Sequence, residues 1–113
     1  MLRFMQSLNY KDYNKFKKSE SVKVQAHIRE VVDFLNDIRH LIKHRYLTEE
    51  HVLNIYFLSI MACSERLLPW WLEGFRQEHG NQYYYYNFEQ LCTMVNQMGE
   101  TRLELWNRKD TLA

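Results

Sequence analysis

Glycine, proline and cysteine are all scarce in this chain of 113 residues, which holds three, one and two of them. So few glycines and prolines exclude collagen and Pro/Gly-rich disordered proteins, and two cysteines are too few for a disulfide scaffold. Long apolar runs are also missing, because the longest candidate, residues 52–72, is interrupted by polar residues and by Pro69 and falls short of the ~20 apolar residues that span a membrane. The first eight residues lack the apolar core of a signal peptide. We therefore expect a soluble, cytoplasmic protein with no membrane insertion.

The two cysteines, Cys63 and Cys92, both lie among apolar residues in segments with helical patterns. A free cysteine in such a setting usually behaves as a small buried hydrophobic residue. Neither has a cationic sequence neighbour that would stabilise a thiolate. We therefore expect two reduced, structural thiols.

Charge is nearly balanced over the whole chain, with a formal net charge of +1, which argues against a general nucleic-acid binder. The balance is uneven, because residues 1–18 hold five basic side chains against one acidic, and the remainder holds 10 basic and 13 acidic. We therefore divide the chain into a basic N-terminal arm or first helix, residues 1–18, and a single helical domain, residues 19–113. One alternative function is that of a nucleic-acid-binding accessory protein, whose phosphate contacts would come from the arm lysines Lys11, Lys15, Lys17 and Lys18.

Two long helices are predicted in the first two thirds of the domain. Apolar residues recur at steps of four and three over residues 22–46, after Ser19 or Ser21 as the N-cap. Thr48, followed by two glutamates, predicts the start of a second helix that runs to about Leu67. Only two or three residues would connect these helices, so we expect a central antiparallel hairpin.

The rest of the chain predicts shorter elements. Pro69 indicates a break or kink and the start of a short helix to about His79, which Gly80 ends. Asn87, with Gln90 three residues later, is typical of the start of a last helix.

Tyr86 is placed to pack on Leu91 as a hydrophobic staple of that last helix. Gly99 either ends this last helix or lies within it. An ion pair between Arg76 and Glu89 could tie this helix to the preceding one. Since no stretch alternates long enough to argue a strand, the fold class predicted is all-α, a single-domain bundle of about five helices.

Aromatic residues are concentrated in one stretch, because eight of the 17 lie between Trp70 and Phe88. Four consecutive tyrosines, residues 83–86, cannot all face one core, and exposed tyrosine and tryptophan are typical of interaction hot spots. We therefore predict a partner-binding surface that comprises Trp70, Trp71, Phe75, Tyr83, Tyr84 and Tyr85. The function that this favours is a small protein–protein interaction module, a regulator or inhibitor of a bacterial protein, whose partner is another protein or a second copy in a homodimer.

Two alternative functions, a ribonuclease site and a metal site, would use residues of the first long helix. Arg39 and His44 are spaced as in the active-site motif of HEPN ribonucleases, which they resemble, and an arginine and a histidine suit phosphate binding and proton transfer in metal-free RNA cleavage. Asp37, His40 and His44 lie at steps of three and four, a spacing that can chelate a divalent metal. We expect neither an enzyme nor a cofactor, because a solvated charged face explains the aspartate and histidine set, and an arginine and a histidine at this spacing arise readily by chance in a basic helix.

Residues 28–95 also resemble, in their order of features, an uncharacterised family of bacterial helical domains. The resemblance is carried by Val31-Val32-Asp33-Phe34-Leu35, by Tyr46-Leu47-Thr48-Glu49-Glu50, by residues 68–76 around Trp70-Trp71, and by Tyr85-Tyr86-Asn87-Phe88-Glu89-Gln90-Leu91. It implies an all-helical fold and a bacterial or phage origin, and it implies no activity or site.

Overall fold

The computed structural model describes residues 1–112, and their side chains as far as Gly99. Within this range the chain forms six α-helices, one π-helical segment and no strand, so the all-α prediction is confirmed. The α-helices are α1 (Leu2–Ser7), α2 (Tyr13–Ser19), α3 (Val22–Lys43), α4 (Glu49–Leu67), α5 (Glu73–His79) and α6 (Tyr86–Leu112), and the π-helical segment is Leu68–Leu72.

Helices α3 and α4 form the predicted hairpin, and each has the N-cap that the sequence indicated. Ser21 Oγ accepts a hydrogen bond from the Val24 amide, and Thr48 Oγ1 accepts one from the His51 amide, both at 3.2 Å. Phe34 and Tyr56 lie at similar distances from the connection and their rings meet at 5.7 Å, as expected of antiparallel neighbours.

Helix α3 ends earlier than predicted, at Lys43 rather than residue 46, because Arg45 takes a left-handed conformation with φ 64°. The Tyr46 amide then donates to the Leu41 carbonyl at 2.9 Å and the Arg45 amide to the Ile42 carbonyl at 3.0 Å. These two bonds are a Schellman motif, which satisfies carbonyls that the helix end would leave free.

The predicted break or kink at Pro69 is a change of helix type: the chain stays helical from α4 into α5, and the short helix begins at Glu73 rather than at Pro69. Leu68 keeps a right-handed helical conformation, and residues 68–72 form a π-helical turn instead of an interruption. A wider turn accommodates the missing N–H of proline and separates its ring from the preceding carbonyls. The predicted end is confirmed, since Gly80 closes α5 with φ 64°.

Helix α6 begins one residue before the predicted cap, so Asn87 lies inside the helix and the capping prediction is wrong. The acceptor comes from another helix: Asn36 Oδ1 of α3 accepts a hydrogen bond from the Phe88 amide at 2.9 Å. The backbone is then helical through Gly99, which settles the alternative that the sequence left open.

Residues 1–18 fold into α1 and α2, and their apolar side chains Met5, Leu8 and Phe16 are buried in the core. Arg66 of α4 donates a hydrogen bond to the Leu8 carbonyl at 3.0 Å, which holds the end of α1. The remaining buried side chains come from α3, α4, the π-helical segment, α5 and the first part of α6. None of the helices described is both long and apolar enough to cross a bilayer.

Candidate protein-binding surface

Three members of the predicted partner-binding surface lie in the core. Trp70 is 7% exposed, and Trp71 and Phe75 are each 2% exposed. The Trp70 ring is covered by Phe16, at 5.2 Å between centroids, and by Tyr10, at 6.1 Å. These side chains therefore pack the core instead of facing a partner, because the N-terminal helices cover a segment that the sequence left uncovered.

Trp71 and Phe75 form the base of an aromatic cluster beneath the tyrosine run. Their rings stack at 5.0 Å, and the Tyr85 ring lies 5.8 Å from Trp71 and 5.2 Å from Phe75. The guanidinium of Arg29 lies 5.2 Å from the Phe75 centroid, a cation–π contact from α3. Tyr85 is thus an anchor in this cluster and, although predicted to face a partner, is only partly exposed.

The hydroxyl of Tyr85 donates a hydrogen bond to the Asp33 carboxylate at 2.6 Å. Burial, and after it the hydrogen bond to Asp33, together raise the pKa of this phenol to about 12. The backbone at Tyr85 has φ 60°, in the left-handed region that non-glycine residues rarely adopt. The ring anchor and the hydrogen bond together hold this conformation.

Residues 82–85 form a turn whose backbone is fixed by side chains on both sides. Asn81 Oδ1 accepts a hydrogen bond from the Tyr83 amide at 2.9 Å, and Arg76 Nε donates one to the Tyr84 carbonyl at 2.9 Å. The Arg76 guanidinium also binds both carboxylate oxygens of Glu89, at 3.2 and 3.4 Å. The predicted ion pair is therefore confirmed, and the same arginine fixes the turn.

The aromatic side chains exposed at this turn and at the first residue of α6 are Tyr83, Tyr84 and Tyr86, at 69%, 41% and 51% exposure. We call these three residues the tyrosine turn. Tyr84 rests edge-on against Phe75 at 5.4 Å and beside His79 at 5.7 Å. Tyr86 was missed by the sequence reasoning because its position before Asn87 suggested a staple packed on Leu91, and the shift of the helix start leaves it exposed.

An open depression of about 730 Å³ adjoins the tyrosine turn. Its wall comprises Glu73, Arg76, Gln77, Gly80, Asn81, Gln82 and Tyr83. Since Arg76 is already paired with Glu89, most of this wall offers uncharged polar groups. The arrangement suits a protein side chain better than a phosphate.

Two of the four arm lysines, Lys11 and Lys17, lie near acidic groups of α5. Lys17 Nζ lies 3.7 Å from a carboxylate oxygen of Glu78, and Tyr13 donates a hydrogen bond to the same carboxylate. Lys11 and Lys17 line an open depression of about 680 Å³ together with Glu73 and Glu78. Lys15 and Lys18 are exposed on α2. A surface of mixed charge does not favour binding to the phosphate backbone of a nucleic acid.

The residues of the two chemical alternatives lie along α3 and at its C-terminal end. Arg39 and His44 are five positions apart on one helix, or about 140° around its axis, and His44 is exposed at the end of α3. The rings of His40 and His44 lie 4.3 Å apart, but no three histidine, cysteine, aspartate or glutamate side chains among those described are placed to hold a metal ion, Asp37 included.

Cys63 and Cys92 are free and buried, as expected of structural thiols. Burial raises the pKa of each thiol to about 12. Both therefore stay protonated near neutral pH.

No protein-family model matches the chain, and no curated protein or solved structure is significantly similar to it. The resemblance to a bacterial helical family thus stays a prediction.

Proposed function

We propose that this chain is a protein–protein interaction module that binds another protein through the tyrosine turn. The observation that carries the proposal is the aromatic cluster on which this part of the chain is anchored. Tyr85, which lies among the tyrosine-turn residues in sequence, is anchored on Trp71 and Phe75 and bonded to Asp33. An exposed aromatic group on such a base is in place before a partner arrives.

This preorganisation matters because association costs about 0.5–1.5 kcal/mol for each flexible side chain that must be ordered. Tyr84 is already held against Phe75, and its carbonyl is bonded to Arg76. Tyrosine also offers large apolar area and a hydroxyl with few rotatable bonds, which is why it is enriched in hot spots. The fold therefore already orders part of the tyrosine turn before a partner binds, which lowers the entropy lost on association.

The partner that fits is a folded protein with a side chain that enters the depression beside Tyr83. The uncharged wall groups Gln77, Asn81 and Gln82 suit a polar or small apolar group there. A small domain that covers part of a partner's surface acts by occupying it. We therefore assign this chain the role of a regulator or inhibitor of a cytoplasmic bacterial protein.

The test is affinity capture from a bacterial lysate with the wild type and three single variants, Tyr83→Ser, Tyr84→Ser and Tyr86→Ser, followed by calorimetry with the purified partner. Tyr46→Ser is the matched control, since Tyr46 is 78% exposed in the α3–α4 connection. We expect Tyr83→Ser and Tyr84→Ser each to weaken binding at least tenfold, about 1.4 kcal/mol, and Tyr46→Ser to leave it unchanged. Equal affinity for all variants would contradict the proposal.

A further inference from the structure

A cavity of about 310 Å³ lies between the α1–α2 connection and the end of α4. This volume is at the lower end of the ~300–1,000 Å³ range of small-molecule sites, so the cavity suits a small ligand. No residue of the tyrosine turn lines it. We call it the Trp70 cavity, and the wall residues that bear on a ligand are Tyr10, Lys11, Glu65, Arg66, Pro69 and Trp70.

Part of the wall of the Trp70 cavity is aromatic and is held in place by the core. The Tyr10 ring lies 6.1 Å from the Trp70 ring and 5.3 Å from the buried Phe16 ring, between centroids. The Tyr10 hydroxyl donates a hydrogen bond to Glu20 at 3.0 Å, which fixes the outer end of this side chain. Pro69 and Trp70 belong to the π-helical segment, a type of turn that often occurs at functional sites. Rings fixed in this way suit a planar apolar group.

The wall also holds two cations that no described carboxylate neutralises. Arg66 is half-buried and donates from Nη1 to the Leu8 carbonyl at 3.0 Å, an uncharged acceptor. Lys11 is exposed, and it borders the neighbouring depression with Glu73 and Glu78 without forming an ion pair with either. Among the residues whose side chains the structure describes, Arg66 forms no ion pair either. A guanidinium and an ammonium at one cavity favour a carboxylate, to which the guanidinium can donate two parallel N–H bonds.

The acidic residue of the wall limits the charge of the ligand. Glu65 is exposed at the cavity, so the three ionised side chains Lys11, Glu65 and Arg66 together carry one net positive charge. A ligand with a single negative charge balances this charge, whereas a dianion such as phosphate would be repelled more strongly by Glu65.

We propose that the Trp70 cavity binds a small aromatic carboxylate, with its ring against Tyr10 and Trp70 and its carboxylate at Arg66 and Lys11. One ring with a short acidic chain matches both the volume of the cavity and its net charge. This goes beyond the proposed function, since the tyrosine turn takes no part in the site.

Titration of the full chain, labelled with ¹⁵N, with phenylacetate tests the proposal by NMR. A ligand of this size should bind with a Kd on the order of 0.1–1 mM. The Trp70 indole N–H is buried and has no acceptor among the described residues, so its signal should report on the cavity and shift more than the other indole signals. A titration without saturable binding, or one that shifts another indole signal instead, would overturn the proposal.

Three comparison compounds separate the roles of the ring and the charge. Phenylacetamide keeps the shape of the probe without its charge, acetate keeps the charge without the ring, and inorganic phosphate is a dianion without a ring. Each should bind at least about fivefold more weakly than phenylacetate. Equal or tighter binding of any of the three would contradict the assigned ligand class.

Variants of the two cations test where the carboxylate binds. Arg66→Gln, which keeps an N–H donor near the Leu8 carbonyl, should weaken phenylacetate binding at least about tenfold, and Lys11→Gln about threefold. Lys15→Gln is the matched control, because Lys15 is an equally exposed arm lysine outside this wall. Circular dichroism checks that each variant is folded. An unchanged Kd for Lys11→Gln, or the same change for Lys15→Gln, would overturn the proposal.

Removal of the acidic group should have the opposite effect. Glu65→Gln should tighten phenylacetate binding about twofold, because it removes a negative charge beside the bound carboxylate. Glu50→Gln is its control, since Glu50 is exposed at the other end of α4 and should leave the Kd unchanged. Weaker binding to the Glu65→Gln variant would rule out a carboxylate at this position.

Discussion

The contact between Gly74 and Tyr13 gives the sharpest test of how the N-terminal helices pack. Gly74 is the second residue of α5, and a Cβ at this position would overlap the Cβ and Cγ atoms of Tyr13. Tyr13 is not free to swing aside, because its hydroxyl donates a hydrogen bond to Glu78, one turn further along α5. The change Gly74→Ala therefore forces either the helices apart or this hydrogen bond to break.

The expected loss of stability combines two destabilising effects with one stabilising effect. Overpacking costs about 1–3 kcal/mol, and the exposed hydrogen bond to Glu78 contributes about 1 kcal/mol. Alanine within a helix contributes about 1 kcal/mol in the other direction. Gly74→Ala should thus lower the free energy of unfolding by about 1–3 kcal/mol, and Tm by roughly 4–13 °C.

Tyr13→Gly provides the background in which the sign reverses, because it also removes the Cβ of residue 13. Without the Cβ, Cγ and Cδ1 atoms of Tyr13, the three atoms nearest to the new methyl group are gone, so Gly74→Ala should then stabilise the fold by about 0.5–1 kcal/mol. Urea unfolding followed by far-UV circular dichroism measures all four members of this cycle. The reasoning is refuted if Gly74→Ala stabilises the wild type, or if it destabilises both backgrounds equally.

Three further outcomes are expected. Asn36→Leu removes the acceptor for the Phe88 amide and should cost about 1–2 kcal/mol in urea unfolding; an unchanged midpoint would show that α6 starts without this cap. Cys63 and Cys92 should resist alkylation by iodoacetamide at pH 8 and react once urea unfolds the chain, so rapid labelling of the native protein would contradict their burial. The pKa values of both thiols and of Tyr85 are raised to about 12 in the folded state, so these groups release protons more readily when the chain is unfolded. The free energy of unfolding should therefore be highest below about pH 9 and fall between about pH 9 and 12. Unfolding free energies that stay constant over this range would count against these pKa values.

The exposed tyrosines show how far sequence reasoning reached into the candidate site. Four consecutive tyrosines cannot share one face, so exposure of some rings followed from chain geometry. Which rings are exposed depended on the left-handed conformation of Tyr85 and on the start of α6 at Tyr86. The exposure of Phe34 and Leu41 on α3, at 41% and 36%, depends on which helices pack beside α3, and no pattern in the sequence indicated it.

Local signals determined most of the secondary structure. The caps at Ser21 and Thr48 and the termination at Gly80 act within one turn of their own residue, so neighbours in sequence are enough to specify them. The tertiary structure decided what depends on residues far apart in the chain. Asn36 caps α6 across a separation of 52 residues, and Phe16 covers Trp70. Such contacts exist only once the helices have packed, and they alone separate the buried aromatic residues from those that a partner can reach.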